Sequence, residues 1–385
     1  MSQNKKYASV LNLSQKILGE YDLCDHCLGR LFAKKLGLAS NKKLGQKIHK
    51  HLKKQSKKCY TCKNIFDSLQ NYLQKMLEAS SGYEFRTFLV GAILKPSVLD
   101  RDDHIRSQFK LRGIDGIKTN ITKELARQFA KKTKKRSHQM EPDLTITVDF
   151  KTESCYAHSR PVFVSGRYTK QTRDMPQKQK PCDNCLGKGC VTCNRHGISD
   201  FNSVEGMISK YFFEKFGAQQ AKITWIGGED SSSLVLGGGR PFFAKLTNPK
   251  KRNPKLPKRI RVDRITLRSL KQVSKLPLRP LPFVSKAKMF VSTENPVRVE
   301  DLAKLEGLKG TIVIYDDGKR VEKSIHSLKY KPNSENSFYL FIKVDGGVPL
   351  KRLVAGDSVF PNVSDLISNK SKCETFDFEE VRITN

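Results

Sequence analysis

Two adjacent carboxylates, Glu229 and Asp230, stand between two strand-like runs and just ahead of a glycine triplet, in Trp225-Ile-Gly-Gly-Glu-Asp-Ser-Ser-Ser-Leu-Val-Leu-Gly-Gly-Gly-Arg-Pro-Phe-Phe243. The preceding Ile223-Thr-Trp-Ile226 is β-branched and aromatic, Gly227-Gly228 interrupts it, and Leu234-Val-Leu236 with Pro241-Phe-Phe243 supplies apolar strand material beyond. The acids are therefore predicted at a strand end or turn. A partly desolvated carboxylate there can attack a carbon or remove a proton. Their setting is strongly cationic: 72 Lys and Arg stand against 38 Asp and Glu, a formal net charge of +34. Such an excess points to a polyanion as partner. Asp230 accordingly reads as a catalytic acid facing RNA, and Glu229 as a solvent-facing or structural acid.

Eight of the ten cysteines form four C-x-x-C pairs: Cys24/Cys27, Cys59/Cys62, Cys182/Cys185 and Cys190/Cys193. That spacing puts two thiolates on one turn, where a single tetrahedral ion can hold both. Disulfides are the alternative. The N-terminus lacks a signal-peptide h-region, and no run of roughly 18 apolar residues exists, so the protein is expected to be soluble and cytoplasmic, among reduced thiols. Structural zinc is therefore the expectation. Cys182, Cys185, Cys190 and Cys193 form a compact pair of knuckles able to bind one ion alone, and the first two pairs can close one site across residues 28–58. His26 reads as a surface residue, since four thiolates already fill a structural site. Cys155 and Cys373 read as packed thiols.

These features need elements to carry them. At roughly 100 to 200 residues per domain the chain has room for two or three. The pattern divides into a helical zinc-binding module (1–75), an α/β segment (76–178), a four-cysteine linker (179–200) and a longer segment that carries the acidic pair (201–385). Strands are predicted at 85–94, 144–150, 161–164, 260–267, 311–315 and 338–344, and a helix at 120–132 capped by Asn120. A second helix, 203–216, has Ser203 as N-cap, an apolar face of Val204, Ile208, Tyr211 and Phe212, and Gly217 as its stop. Gly237-Gly-Gly239 reads as a turn that brings the backbone close to a ligand or partner strand. Lysines and arginines at 131–136, and the proline-rich stretch 248–261 containing Arg252, are predicted to lie along a phosphate backbone. The cysteine linker reads as a hinge touching nucleic acid, or as a metal staple with no such contact. No internal repeat is evident.

No Gly-Lys-Ser/Thr follows the glycine triplet, and neither a dinucleotide fingerprint nor a methyl-donor loop occurs. Chemistry without an organic cofactor is expected. The order of zinc pairs, α/β segment, Ser165-Gly-Arg-Tyr-Thr-Lys170, Asp174-Met-Pro-Gln177, knuckles, Ser203-Val-Glu205, Glu229-Asp230 and Leu236-Gly-Gly-Gly-Arg-Pro-Phe242 resembles the archaeal branch of the Pus-ten family. These are tRNA pseudouridine synthases acting on T-loop uridines 54 and 55 (tRNA numbering). The resemblance implies an α+β protein: an N-terminal zinc-binding and THUMP-like α/β accessory domain, then a pseudouridine synthase core with a mixed, largely antiparallel sheet.

It also implies that Asp230 is the catalytic aspartate. Lys351 would assist in the pocket, and Arg240 would hold Asp230 or a nearby phosphate, unless it forms a structural pair with an acid at the turn. Three departures from the family pattern stand out. Gly228 takes the place of a common basic residue, Ser231-Ser-Ser233 replaces acids, and Pro349 stands where a base-stacking tyrosine is usual, leaving stacking to another surface. The expected partner is the T arm of tRNA, with no membrane and no obligatory protein partner, and the chain is expected to be a monomer. The rival reading is a zinc-stabilised RNA-binding protein without catalysis, such as a tRNA chaperone or ribosome-assembly factor. Charge and knuckles suit it equally well. Against it stands Asp230, a carboxylate that would only repel phosphates unless it had chemistry to do.

Overall fold

Apolar spacing in the first eighty residues resolves into helices α1 (Gln3–Glu20), α2 (Asp25–Phe32), α3 (Asn41–Leu52) and α4 (Leu69–Ser80). The computed structural model describes residues 3–384 apart from 39, 55–57 and 317. It divides into two compact units, Met1–Arg160 and Pro161–Asn385.

In the first unit α2 lies so close to α3 that any side chain at Gly29 or Gly45 would strike the partner backbone. Next come β1 (Thr87–Ile93), α5 (Pro96–Gln108), α6 (Ile117–Thr133), β2 (Arg136–Ser137), β3 (Leu144–Asp149) and β4 (Ser154–Ser159). They form a sheet in the order β2-β1-β3-β4, with β1 parallel to β2 and β3, and β4 antiparallel. Period-two burial of Phe88, Val90, Leu144, Ile146 and Val148 fills one core with Ile121, Leu125 and Phe129 of α6. Helix α6 does not start at Asn120. Its cap is Gly116, and the carboxylate of Asp102 accepts from the Ile117 N–H at 3.0 Å, satisfying an orphan donor that a capping side chain would otherwise take.

The second unit holds β5 (Val162–Lys170), α7 (Val204–Phe216), β6 (Gln220–Trp225), β7 (Val235–Thr247), β8 (Arg259–Val262), β9 (Ile265–Val273), β10 (Phe283–Thr293) and α8 (Val299–Ala303). It continues with β11 (Gly310–Asp316), β12 (Lys319–Ser334), β13 (Ser337–Asp345), α9 (Leu350–Ala355), β14 (Val359–Phe360), α10 (Val363–Leu366) and β15 (Ser371–Ile383). One sheet runs β14-β11-β12-β13-β10-β15-β7-β5-β9-β8, with β6 on β7. Its pairs are antiparallel except at β7 and β15, which meet in parallel at one ladder position, Val235 opposite Phe378.

Several sequence expectations change here. The strand predicted at 161–164 runs on to Lys170 as β5 and belongs to this sheet, not to the preceding α/β segment. The strand predicted at 260–267 is a hairpin, β8 and β9, turned at Asp263 and Arg264. The cysteine linker is no hinge: His196 stacks on Phe213 at 3.9 Å and contacts the Gln219 carbonyl at 2.9 Å, while Gln220 Nε2 donates to the Lys188 carbonyl at 3.0 Å. Helix α7 follows the prediction, with Ser203 Oγ accepting from Gly206 N at 2.9 Å and Gly217 left-handed at its end.

The glycine triplet lies within a strand. Opposite β5, Tyr168 pairs with Arg240 and Lys170 with Val235, so residues 236–239 bulge out of β7. Gly237 and Gly239 have φ of +53° and +76°, and a Cβ on either would collide with the carbonyls of Glu379 and Tyr168. Close approach of partner strands, as expected, requires these glycines; the turn does not exist. Among the described residues no helix is long and apolar enough to cross a membrane.

Candidate active site

The loop 226–234 connects β6 to β7 and is fixed from below by a buried charge cluster. Strand periodicity puts Tyr168 and Lys170 on the same face of β5, and Arg240 enters from β7 opposite Tyr168. All three side chains are fully buried. Glu229 reaches down among them with no side-chain exposure: Lys170 Nζ lies 3.2 Å from Oε1, Arg240 Nε lies 3.6 Å from Oε2, and the Tyr168 hydroxyl donates to Oε2 at 2.7 Å. Burial, reinforced by the Glu229 charge, pushes the Tyr168 phenol well above its ordinary range and keeps it a donor. Lys170 also donates to the carbonyls of Met175, Asp230 and Ser231 at 3.0 to 3.3 Å, and Arg240 to that of Ile226 at 2.8 Å. The Arg240 guanidinium sits 4.2 Å from the centroid of the Phe378 ring. Two cations and one carboxylate thus tie down the loop's backbone.

Asp230 points the other way, its side chain 31% exposed. Lys351, first turn of α9, places Nζ 2.8 Å from Oδ2. Ser232 donates to Oδ1 through both its hydroxyl (2.7 Å) and its N–H (3.0 Å). The Lys351 contact, then that of Ser232, hold this carboxyl down at about 2, so the carboxylate is present at every pH the protein would work at. The far end of the loop is anchored to β15: Arg173 forms a two-pronged pair with Asp377 at 2.8 Å and donates to the Ser232 carbonyl, and Asp377 accepts from Leu234 N at 2.9 Å.

The structure thus brings Asp230 and Lys351 together. Pro349 is the N-cap of α9 and starts the turn that presents Lys351. Of the two roles expected for Arg240, holding Asp230 or a phosphate and pairing with an acid at the turn, the structure shows the second, with Glu229 as the acid. Complete burial rules out contact with RNA. Arg252 lies between β7 and β8, where its carbonyl accepts from Gln272. Sequence reading missed Lys170, Arg173 and Asp377. The signal for Lys170 was a lysine two residues from a tyrosine in a strand whose alternate positions are apolar.

The cysteines gather as the spacing predicts. Cys24, Cys27, Cys59 and Cys62 form one quartet and Cys182, Cys185, Cys190 and Cys193 another, each with all sulfurs within 4.8 Å of one another. Separations of 3.7 Å for Cys24–Cys62 and 3.7 to 3.9 Å in the second quartet match the edge of about 3.8 Å that a tetrahedron with metal–sulfur bonds of about 2.3 Å requires. In the second quartet Gly189 N donates to Cys185 Sγ, and Cys190 N and Gly197 N to Cys193 Sγ. Chiefly the Cys190 N–H brings the Cys193 thiol down to about 6. Both donor sets fit a metal ion. His26 is no ligand and stacks on Phe66. Burial raises lone Cys155 to about 11 and Cys373 to about 12, as packed thiols require.

A THUMP domain followed by a catalytic unit built on a mixed, largely antiparallel sheet defines the class: residues 72–149 match the family model described as the archaeal Pus10 THUMP domain, and residues 163–382 that of the Pus10 C-terminal region. The chain belongs to the Pus10 family. It is 49% identical over 379 residues, 98% of this chain and 99% of the relative, to the tRNA pseudouridine synthase Pus10 of Nitrosopumilus maritimus. The proteins of the same name from Cenarchaeum symbiosum and Methanothermobacter marburgensis are 39% and 30% identical, over 94% and 93% of this chain and 90% and 95% of theirs.

Proposed function

We propose that the chain isomerises uridine to pseudouridine in the T loop of tRNA, at uridines 54 and 55, with Asp230 as the catalytic residue. It is a tRNA pseudouridine synthase. The observation that carries the site assignment is the ionised, half-exposed Asp230 on a loop whose backbone is pinned by buried Lys170 and Arg240. In the reaction the N1–C1′ bond breaks, uracil turns, C5 bonds to C1′, and the proton lost from C5 is matched by one gained at N1. Asp230 starts it by attacking C1′ or by taking the C2′ proton. Lys351 keeps that carboxylate charged and aimed. The target base must leave its stack, at a cost of a few kcal/mol offset by phosphate contacts. Each cysteine quartet holds one structural zinc ion. The enzyme acts as a cytoplasmic monomer.

Carbodiimide-based primer extension on an unmodified tRNA transcript tests this. Stops in the T loop with wild type and none with Asp230→Ala support the assignment; stops with both proteins refute the role of Asp230, and none with either refutes the reaction.

A further inference from the structure

The three-stranded ribbon β8-β9-β5 carries an arginine- and threonine-rich face that the catalytic cluster does not use. Cross-strand partners share a face. One row across the ribbon is Arg261, Thr266 and Thr169, and the next is Arg259, Arg268 and Arg167. The opposite face carries Tyr168, Lys170, Ile265 and Leu267, all buried in the core. On the outward side a cavity of about 200 Å³ is walled by Arg259, Arg261, Arg264, Thr169, Thr172 and Thr266, and no carboxylate lines it. Asp263 in the hairpin turn lies 3.8 Å from Arg264 Nε, and its carbonyl accepts from Arg261 Nε at 3.1 Å. Among the described residues, Arg259 and Arg261 have no carboxylate within ion-pair distance.

We propose that this cavity is a phosphate site that seats one phosphodiester of the RNA substrate's backbone. Guanidinium forks and threonine hydroxyls offer many donors at short range, and a phosphodiester is an acceptor-only anion that matches them. Thr169 in its wall is followed in β5 by Lys170, which donates to the Asp230 carbonyl at 3.3 Å. A phosphate held here therefore registers the RNA against the strand that also fixes the catalytic loop. The inference rests on the RNA-modifying reading above.

The test is binding of an unmodified tRNA transcript by the full chain across a series of salt concentrations. Replacing all three arginines (R259Q/R261Q/R264Q) is expected to weaken binding on the order of tenfold. It should also lower the slope of log affinity against log salt by about one, the share of one released phosphate. KM rises with the loss of affinity, and kcat falls by a smaller factor. The charge-preserving R259K/R261K/R264K variant keeps the slope but binds several-fold more weakly. Should the triple variant not fold, Arg264→Gln alone is expected to weaken binding several-fold. Unchanged RNA affinity in the glutamine variants overturns the proposal, and lysine variants equal to wild type overturn it in favour of a diffuse field. Inorganic phosphate, compared with chloride at matched ionic strength, separates the sources: binding of free phosphate that the glutamine variant abolishes while RNA affinity stays unchanged refutes the RNA assignment. If wild type forms no pseudouridine yet the arginine variants still lose RNA, the reaction reading fails and the phosphate site stands.

Discussion

Glu229 and Asp230 are neighbours in sequence and occupy opposite media. Glu229 is withdrawn from water and held by Lys170, Arg240 and Tyr168, while Asp230 keeps 31% of its side chain exposed and contacts one half-exposed cation, Lys351. A carboxylate enclosed by two buried cations and a buried phenol is out of a substrate's reach. Its neighbour, with one cation and a two-donor serine, is ionised and still reachable. The pair shows how a fold separates anchoring from chemistry within one peptide bond. The two cysteine quartets repeat the contrast: three of four sulfur-bearing residues are buried in the first, but only Cys182 in the second.

The largest effect should come from Asp230→Asn, which keeps the shape and removes the charge. Turnover is expected to fall by roughly four to six orders of magnitude, with tRNA affinity within a few-fold. Single-turnover kinetics and filter binding on the same preparation check this, and a variant retaining a tenth of wild-type activity would dissolve the contrast. Glu229→Gln should act on stability. It strands two buried cations and is expected to cost about 3 to 5 kcal/mol, a fall in Tm of roughly 10 °C by calorimetry. A variant as stable as wild type would show that the buried carboxylate does not anchor the loop.

Lys351→Met sharpens the other side, and kcat is expected to drop on the order of 100-fold. The sign of its pH effect follows from the Asp230 carboxyl, held at about 2 in the folded protein against about 3.9 when unfolded. The stabilisation from this pair is complete above the unfolded value and lost as pH falls through the folded one. Without Lys351 the folded value rises, so the acid limb of the rate profile should move up toward pH 4 in the variant, and an unmoved limb would deny the coupling. The smallest effect concerns the quartets. A chelator in excess should draw bound metal in two phases, fast from the half-exposed second quartet and slow from the first, and Cys190→Ser should remove the fast phase alone. A single phase would make the two sites equivalent.

Much of this was readable in the residues. The tight spacing of Cys182 to Cys193 predicts one quartet, while the pairing of Cys24/Cys27 with Cys59/Cys62 across residues 28–58 is left open by the sequence and shown by the structure. The break between Trp225 and Leu234 predicts a loop bearing Asp230. Ser203 and Gly217 mark a helix because capping is local chemistry. The glycine triplet misleads because positive φ serves a bulge as well as a turn, and the choice depends on a partner strand more than sixty residues earlier. Arg240 stays open between two roles for a related reason. Its type suits carboxylate and phosphate alike, and its burial is decided by Phe378 and Tyr168, which no local pattern reveals. Strands β12 and β15 escape periodicity because register shifts break the alternation along both.

The one-position meeting of β7 with β15 makes a mechanical joint of the catalytic sheet. On either side lies a broad plate with a full ladder, and between them the fastening is done mainly by side chains: Arg173 on Asp377 and Arg167 on the Val381 carbonyl. Rivets of this kind loosen with ionic strength while hydrogen-bonded plates keep their shape. Amide protons of Leu234 and Phe378 are therefore expected to trade with solvent through an opening that needs less free energy than global unfolding. The loop that bears Asp230 sits at that joint, so the Arg173 pair with Asp377 adds to the hold that Lys170 and Arg240 have on it.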